Sequence, residues 1–161
     1  MRRGAFFARG NEMTVPTTRQ VDFVLGGLFI FDVILTSWVF FAPDLWFQVF
    51  HGVPYNDPEG FLRRCGANWA AFALFQGIAR LRWKQNLAWI AVIAGVRLSD
   101  IFTDWTYLYF AADITSLGKL GLLGASPMNI VCGWWLWRAH QLLSQHRITQ
   151  PQTPETTRSQ P

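Results

Sequence analysis

The chain reads as an all-α membrane protein, an up-down bundle of four transmembrane helices with a short interfacial helix in the first outer loop. Three observations lead to that class. Of 161 residues, 51% are hydrophobic and only 15% charged, where soluble domains carry about a quarter charged. The apolar residues gather into four blocks, about 21–41, 61–82, 86–111 and 118–137, each near the ~20 residues that cross a ~30 Å hydrocarbon core as a helix. Basic residues, finally, collect at alternate block ends. Arg2, Arg3, Arg9 and Arg19 precede the first block, Arg80, Arg82 and Lys84 lie between the second and third, and Arg138, Arg147 and Arg158 follow the fourth. The 42–60 loop has no Lys or Arg, and the loop between blocks three and four has only Lys119. That asymmetry places both termini in the cytoplasm of a bacterial-type inner membrane protein. Arg63 and Arg64, at the outer start of the second block, run against it. The net charge of +4 is therefore a topology signal, and nothing points to nucleic acid.

Residues 1–20 form a basic N-terminal segment without the apolar run of a cleavable signal peptide, so the first helix itself is expected to direct insertion. Met13 offers a second start ahead of MTVPTTRQ. The first helix ends where Ala42-Pro43 interrupts it. In DLWFQVFHG, Leu45, Trp46, Val49 and Phe50 recur at helical spacing and predict a short helix with one apolar face on the membrane surface. A turn with Pro54, Asp57, Pro58 and Glu59 leads into the second helix. The transmembrane domain is read as 21–140. The segment 141–161, ending in TQPQTPETTRSQP, is read as a flexible cytoplasmic tail.

Tryptophans fall toward block ends, with Trp38, Trp46, Trp69 and Trp105 outside and Trp83, Trp89, Trp134, Trp135 and Trp137 inside, as expected of an aromatic belt. Gly26-Gly27, Gly66 with Ala70, Ala73 with Gly77, Ala91 with Gly95, and Gly121 with Ala125 supply small residues for close helix contact. Cys65 and Cys132 lie at different depths and cannot bridge, and no CxxC occurs.

The candidate site lies in the third helix, where GVRLSDIFTDW carries Arg97, Asp100 and Asp104 on one face. Charges at mid-membrane cost about 2.5–3.5 kcal/mol each on insertion scales, and they turn inward and pair. Ile93, Phe102 and Tyr109 are then expected to face lipid. At ~1.5 Å per residue, Arg97 and Asp32 each stand roughly 15 Å from the inner ends of their helices, while Asn68 is level with Asp100 and Arg64 with Asp104. The predicted network joins Asp32, Arg64, Asn68, Arg97, Asp100 and Asp104. It is read either as a lock on helix register or as a proton, ion or ligand site. In ASPMNIVCG, Pro127 predicts a kink whose freed carbonyl Asn129 would answer, or a ligand-lining bend. His51, His140 and His146 stand outside mid-membrane, so no haem or chlorophyll ligand is present, and no metal, phosphate-loop or nucleophile motif occurs.

GGLFIF, the break at Ala42-Pro43, the amphipathic LWFQVFHG, the small-residue-rich second helix and the Arg of GVRLSD together resemble the outline of the DoxX-like family of small four-helix membrane proteins over about residues 20–140. The resemblance implies a bundle whose relatives include accessory subunits of membrane oxidoreductases, and SDIFTD has no counterpart in that outline. The expectation is a non-catalytic accessory or scaffolding subunit of a larger energy-transducing membrane complex, respiratory or photosynthetic, that binds no cofactor of its own. Its partners would be the bilayer and other membrane subunits, with lipid, quinone or pigment as small-molecule contacts. The alternative is a small transporter or ion- or ligand-binding protein that uses the Asp/Arg cluster.

Overall fold

The computed structural model describes residues 15–149 and is all-helical, with five helices and no strand among them. Helix α1, Thr18–Phe41, starts in a reciprocal capping box. The Thr17 hydroxyl accepts from the Gln20 amide at 3.3 Å, and the Gln20 side chain accepts from the Thr17 amide at 2.8 Å. Pro43 opens α2, Pro43–Phe50, at the position where a proline lacks no needed donor. Gly60, at φ +72°, turns the chain into α3, Phe61–Arg82, and the Asp57 carboxylate caps that helix by accepting from Phe61 N at 2.8 Å and Leu62 N at 2.9 Å. A short turn capped by Asn86 on Ala88 N leads into α4, Ala88–Phe110. Thr115 then caps α5, Ser116–Thr149, through Gly118 N at 3.0 Å.

Helix α1 packs along α3 and α4 along α5, and the two pairs meet mainly through α3 and α4. That ring places α1 diagonally across from α4. The interior has three layers. At the end where α1 begins and α5 finishes lies an apolar core of Val21, Leu25, Leu28, Ala79, Trp83, Leu87, Ile90, Ile93, Ala94 and Leu136. A polar layer of Asp32, Gln76, Arg97, Ser126 and Asn129 follows. At the other end Trp38, Trp46, Phe50 and Trp69 stack at centroid distances of 4.5–5.5 Å.

The boundaries differ from the sequence reading chiefly at α5, which runs past 140 to Thr149. There Leu143 packs on the core, His140 Nδ1 meets the Leu87 carbonyl at 3.1 Å, and Arg147 donates to the Lys84 carbonyl. The rest of the expected tail lies outside the described residues, as do Arg2, Arg3, Arg9, Met13 and Arg158. Ile93, expected to face lipid, is fully buried, because it lies one turn from Arg97 on the same inward face. Phe102 and Tyr109 are exposed as expected. Trp46 and Phe50 turn into the aromatic stack, so the apolar face of α2 in large part covers the bundle end. Trp83 leaves the expected belt for the core, and its indole N–H donates to Asp22 at 2.7 Å.

Close helix contact rests on partly different glycines from those expected. A Cβ at Gly133 would stand 2.9 Å from Leu98 Cγ and 3.2 Å from the Ala94 carbonyl oxygen, and one at Gly66 would stand 2.9 Å from Val39. Gly27, Gly95 and Gly124 meet nothing within 4 Å and face outward. The outer faces also carry large apolar side chains, among them Phe23, Phe41, Leu74, Leu81, Phe102, Phe110, Leu120 and Val131. By length and composition, α1 is the one helix among the described residues apolar enough to cross a membrane.

Candidate functional site: a polar seam across the bundle

The side-chain spacing that buries α1 on one face, Val21, Leu25, Leu28, Asp32, brings Asp32 inward with its apolar neighbours. On α4 the run Ile90, Ile93, Ala94, Arg97 does the same for the arginine. Arg97 is 1% exposed and Asp32 0%, and they meet as a direct salt bridge between diagonal helices. Gln76 of α3, also 0% exposed, donates from Nε2 to the same Asp32 oxygen at 2.8 Å. The other arm of the guanidinium lies 3.6 Å from Asp100 Oδ2, and its face stands over the Phe72 ring at 6.0 Å. Asp100 accepts further from Thr103 at 3.0 Å and from Asn129 Nδ2 of α5 at 3.4 Å. One turn on, Asp104 is half-buried beside Ser126 and Asn129.

The seam therefore runs from α3 through α1 and α4 to α5, and every long helix contributes to it. A buried ion pair answered by further hydrogen bonds holds its helices in one register, because any slip leaves a charge unpaired. Its charges do not balance. Asp32, Asp100 and Asp104 face the single guanidinium of Arg97. Asp32 Oδ1, Gln76 Oε1, Arg97 Nε, Asp104 Oδ2 and Ser126 Oγ are buried without a hydrogen-bond partner.

Of the six predicted residues, Asp32, Arg97, Asp100 and Asp104 come together. Arg64 and Asn68 stand exposed on α3 instead. They match the seam in depth, but at ~100° per residue Asn68 lies about 80° and Arg64 about 120° around the helix from Gln76. The inward face of α3 is Gly66, Ala73, Gln76, Ala79. Sequence reasoning missed Gln76, whose signal was a lone amide in the apolar run AAFALFQGIA. Asn129 was expected to answer the carbonyl freed by Pro127; it donates to Asp100. Ser126, 1% exposed, was also missed.

A second polar cluster fixes the α2 end. His51 Nδ1 lies 2.8 Å from the Asp113 carbonyl oxygen and its Nε2 2.8 Å from the Tyr107 hydroxyl, while Thr115 donates to the Val49 carbonyl at 2.8 Å. At the opposite end, a groove of about 420 Å³ between α1 and α5 is lined by Thr17, Arg19, Gln20, Phe23, Val24 and Trp135. Cys65 and Cys132 are free thiols, as expected. No cluster of three metal-ligating side chains occurs among the described residues. Comparison with protein-family models, with curated proteins and with solved structures gives no match.

Proposed function

We propose that the chain is an integral membrane protein of four spans, α1, α3, α4 and α5, with both termini on the cytoplasmic side of a bacterial-type inner membrane. In this reading it serves as a non-catalytic accessory or scaffolding subunit of a larger energy-transducing assembly. The observation that carries the proposal is the inside-out character of the helices. Large apolar side chains and the open glycines Gly27, Gly95 and Gly124 point outward, while Asp32, Arg97 and Asp100 point inward and pair. Contiguous apolar surface on that scale belongs against lipid or protein. Small residues left without a neighbour suit approach by another helix.

The helices α3 and α4, at 22 and 23 residues, have the length of a span, and α5 at 34 exceeds it. The basic groups Arg80, Arg82, Lys84, Arg138 and Arg147 share the end where α1 begins, in keeping with a cytoplasmic face. The charges that make α4 too polar to qualify by composition are the ones turned into the seam. The DoxX-like outline agrees with this reading. Purification from native membranes in mild detergent is the test. The chain is expected to co-migrate with other membrane polypeptides, and a lone monodisperse species of 18.5 kDa overturns the subunit reading. The alternative, a small transporter or ion-binding protein, draws support from the excess of carboxylates over guanidinium in the seam.

A further inference from the structure

The uneven charge of the seam is concentrated at one end. Arg97 serves Asp32 directly and Asp100 at 3.6 Å, so these two carboxylates share its charge. Among the described residues no cation contacts Asp104, and its Oδ2 is buried without a well-formed hydrogen bond. Facing it from α5 is Ser126, 1% exposed, whose hydroxyl stands close enough to interact with the Asp104 carboxylate but makes no well-formed hydrogen bond. Asn129 lies beside both Asp100 and Asp104. Two carboxylates, a hydroxyl and an amide thus converge between α4 and α5, in a seam whose three carboxylates exceed its one guanidinium by two charges, and the Asp104 and Ser126 oxygens there lack a well-formed hydrogen bond.

We propose that Asp100 and Asp104 of α4, with Ser126 and Asn129 of α5, form a binding site for a monovalent alkali cation, with sodium as the fitting member. Hard oxygen donors suit such an ion, and its single charge answers the carboxylate of Asp104, the member of the seam that the guanidinium does not contact. Calcium takes six to eight oxygens, more than this corner supplies. The bound ion would bridge Asp104 Oδ2 and Ser126 Oγ, completing both, and would tie α4 to α5 on the far side of the seam from the apolar core.

The site rests on the packing of α4 against α5 and on neither the number of spans nor a partner subunit. A chain that binds sodium but purifies alone fails the subunit reading only; one that co-purifies but ignores sodium fails this inference only. The test is thermal unfolding of the purified full chain, with NaCl exchanged for choline chloride at constant ionic strength. A saturable rise in Tm is expected, roughly 3–6 °C at tenfold the Kd. Asp104→Asn removes the uncompensated charge, so it should raise Tm in choline and abolish the sodium response. Ser126→Ala should leave Tm in choline near that of the parent and weaken sodium binding severalfold, which keeps the test available if the Asp104 variant fails to fold. Identical Tm in the two salts overturns the proposal. So does a sodium response that survives both substitutions, a response to calcium but not to sodium, or stabilisation by acid alone that is indifferent to sodium.

Discussion

Arg97 faces two carboxylates at once, Asp32 across the bundle and Asp100 one turn along its own helix. Neither acid has a second cation in contact. The two ends of the ion pair are therefore unequal. Removing the guanidinium strands the buried Asp32 and the partly buried Asp100, whereas neutralising Asp32 leaves Arg97 still facing Asp100 and Gln76 still able to donate to the amide that replaces the acid. Breaking a buried pair from one side costs about 3–5 kcal/mol. Arg97→Gln is expected to lose an amount of that order and Asp32→Asn distinctly less, read as unfolding midpoints in detergent titrated with denaturant. Equal losses from the two substitutions would show that Asp100 does not share the guanidinium. Asp32, Arg97, Asp100 and Asp104 were legible in the sequence because charge in an apolar run has nowhere to go but inward. Arg64 and Asn68 were misplaced because depth along a helix fixes only one of two coordinates. Gln76 and Ser126 escaped because uncharged polar side chains carry a far weaker signal in such a run.

At the scale of the helix, the glycines divide into those that set a distance and those that leave a surface open. Gly133 lets α5 approach the Ala94 carbonyl and Leu98 of α4, while Gly124 on the same helix meets nothing. Gly133→Ala should destabilise the isolated chain by about 1–3 kcal/mol through overpacking. Gly124→Ala should stabilise it by about 0.5–1 kcal/mol through helix propensity alone. If Gly124 receives a partner helix, the same substitution weakens co-purification while raising thermal stability, so parallel measurements of both quantities on the one variant separate the two roles. Helix positions themselves were well marked by the sequence, since apolar block length and Pro43 fix them. The extension of α5 to Thr149 was not, because it depends on docking to the α3–α4 turn through His140, Leu143 and Arg147. Polar composition gave no sign of those tertiary contacts.

For the molecule as a whole, the layered interior separates tasks by depth: apolar packing at the basic end, the seam next to it, and aromatic stacking under α2. The two native thiols report on orientation without any engineering. Cys65 is exposed near the start of α3 at the α2 end, and Cys132 is half-buried on α5 among the groups packed on the core. With four spans and cytoplasmic termini, a membrane-impermeant maleimide added to intact cells should label Cys65, while Cys132, within the α5 span and packed on the core, stays unreacted before and after the membrane is opened. Labelling of Cys65 only after the membrane is opened would reverse that topology, and ready labelling of Cys132 in intact cells would remove it.

Asp32 and Arg97 stand 65 residues apart in the chain yet meet directly at the bundle centre. At synthesis rates of about 5–20 residues per second, roughly 3–13 seconds separate the appearance of the acid from that of its guanidinium. Through that interval α1 and α3 can form their hairpin, with Gln76 as the one interior donor to the acid among the described residues of that pair. Until Arg97 enters, the first helix pair lacks the cation that answers Asp32 in the finished bundle.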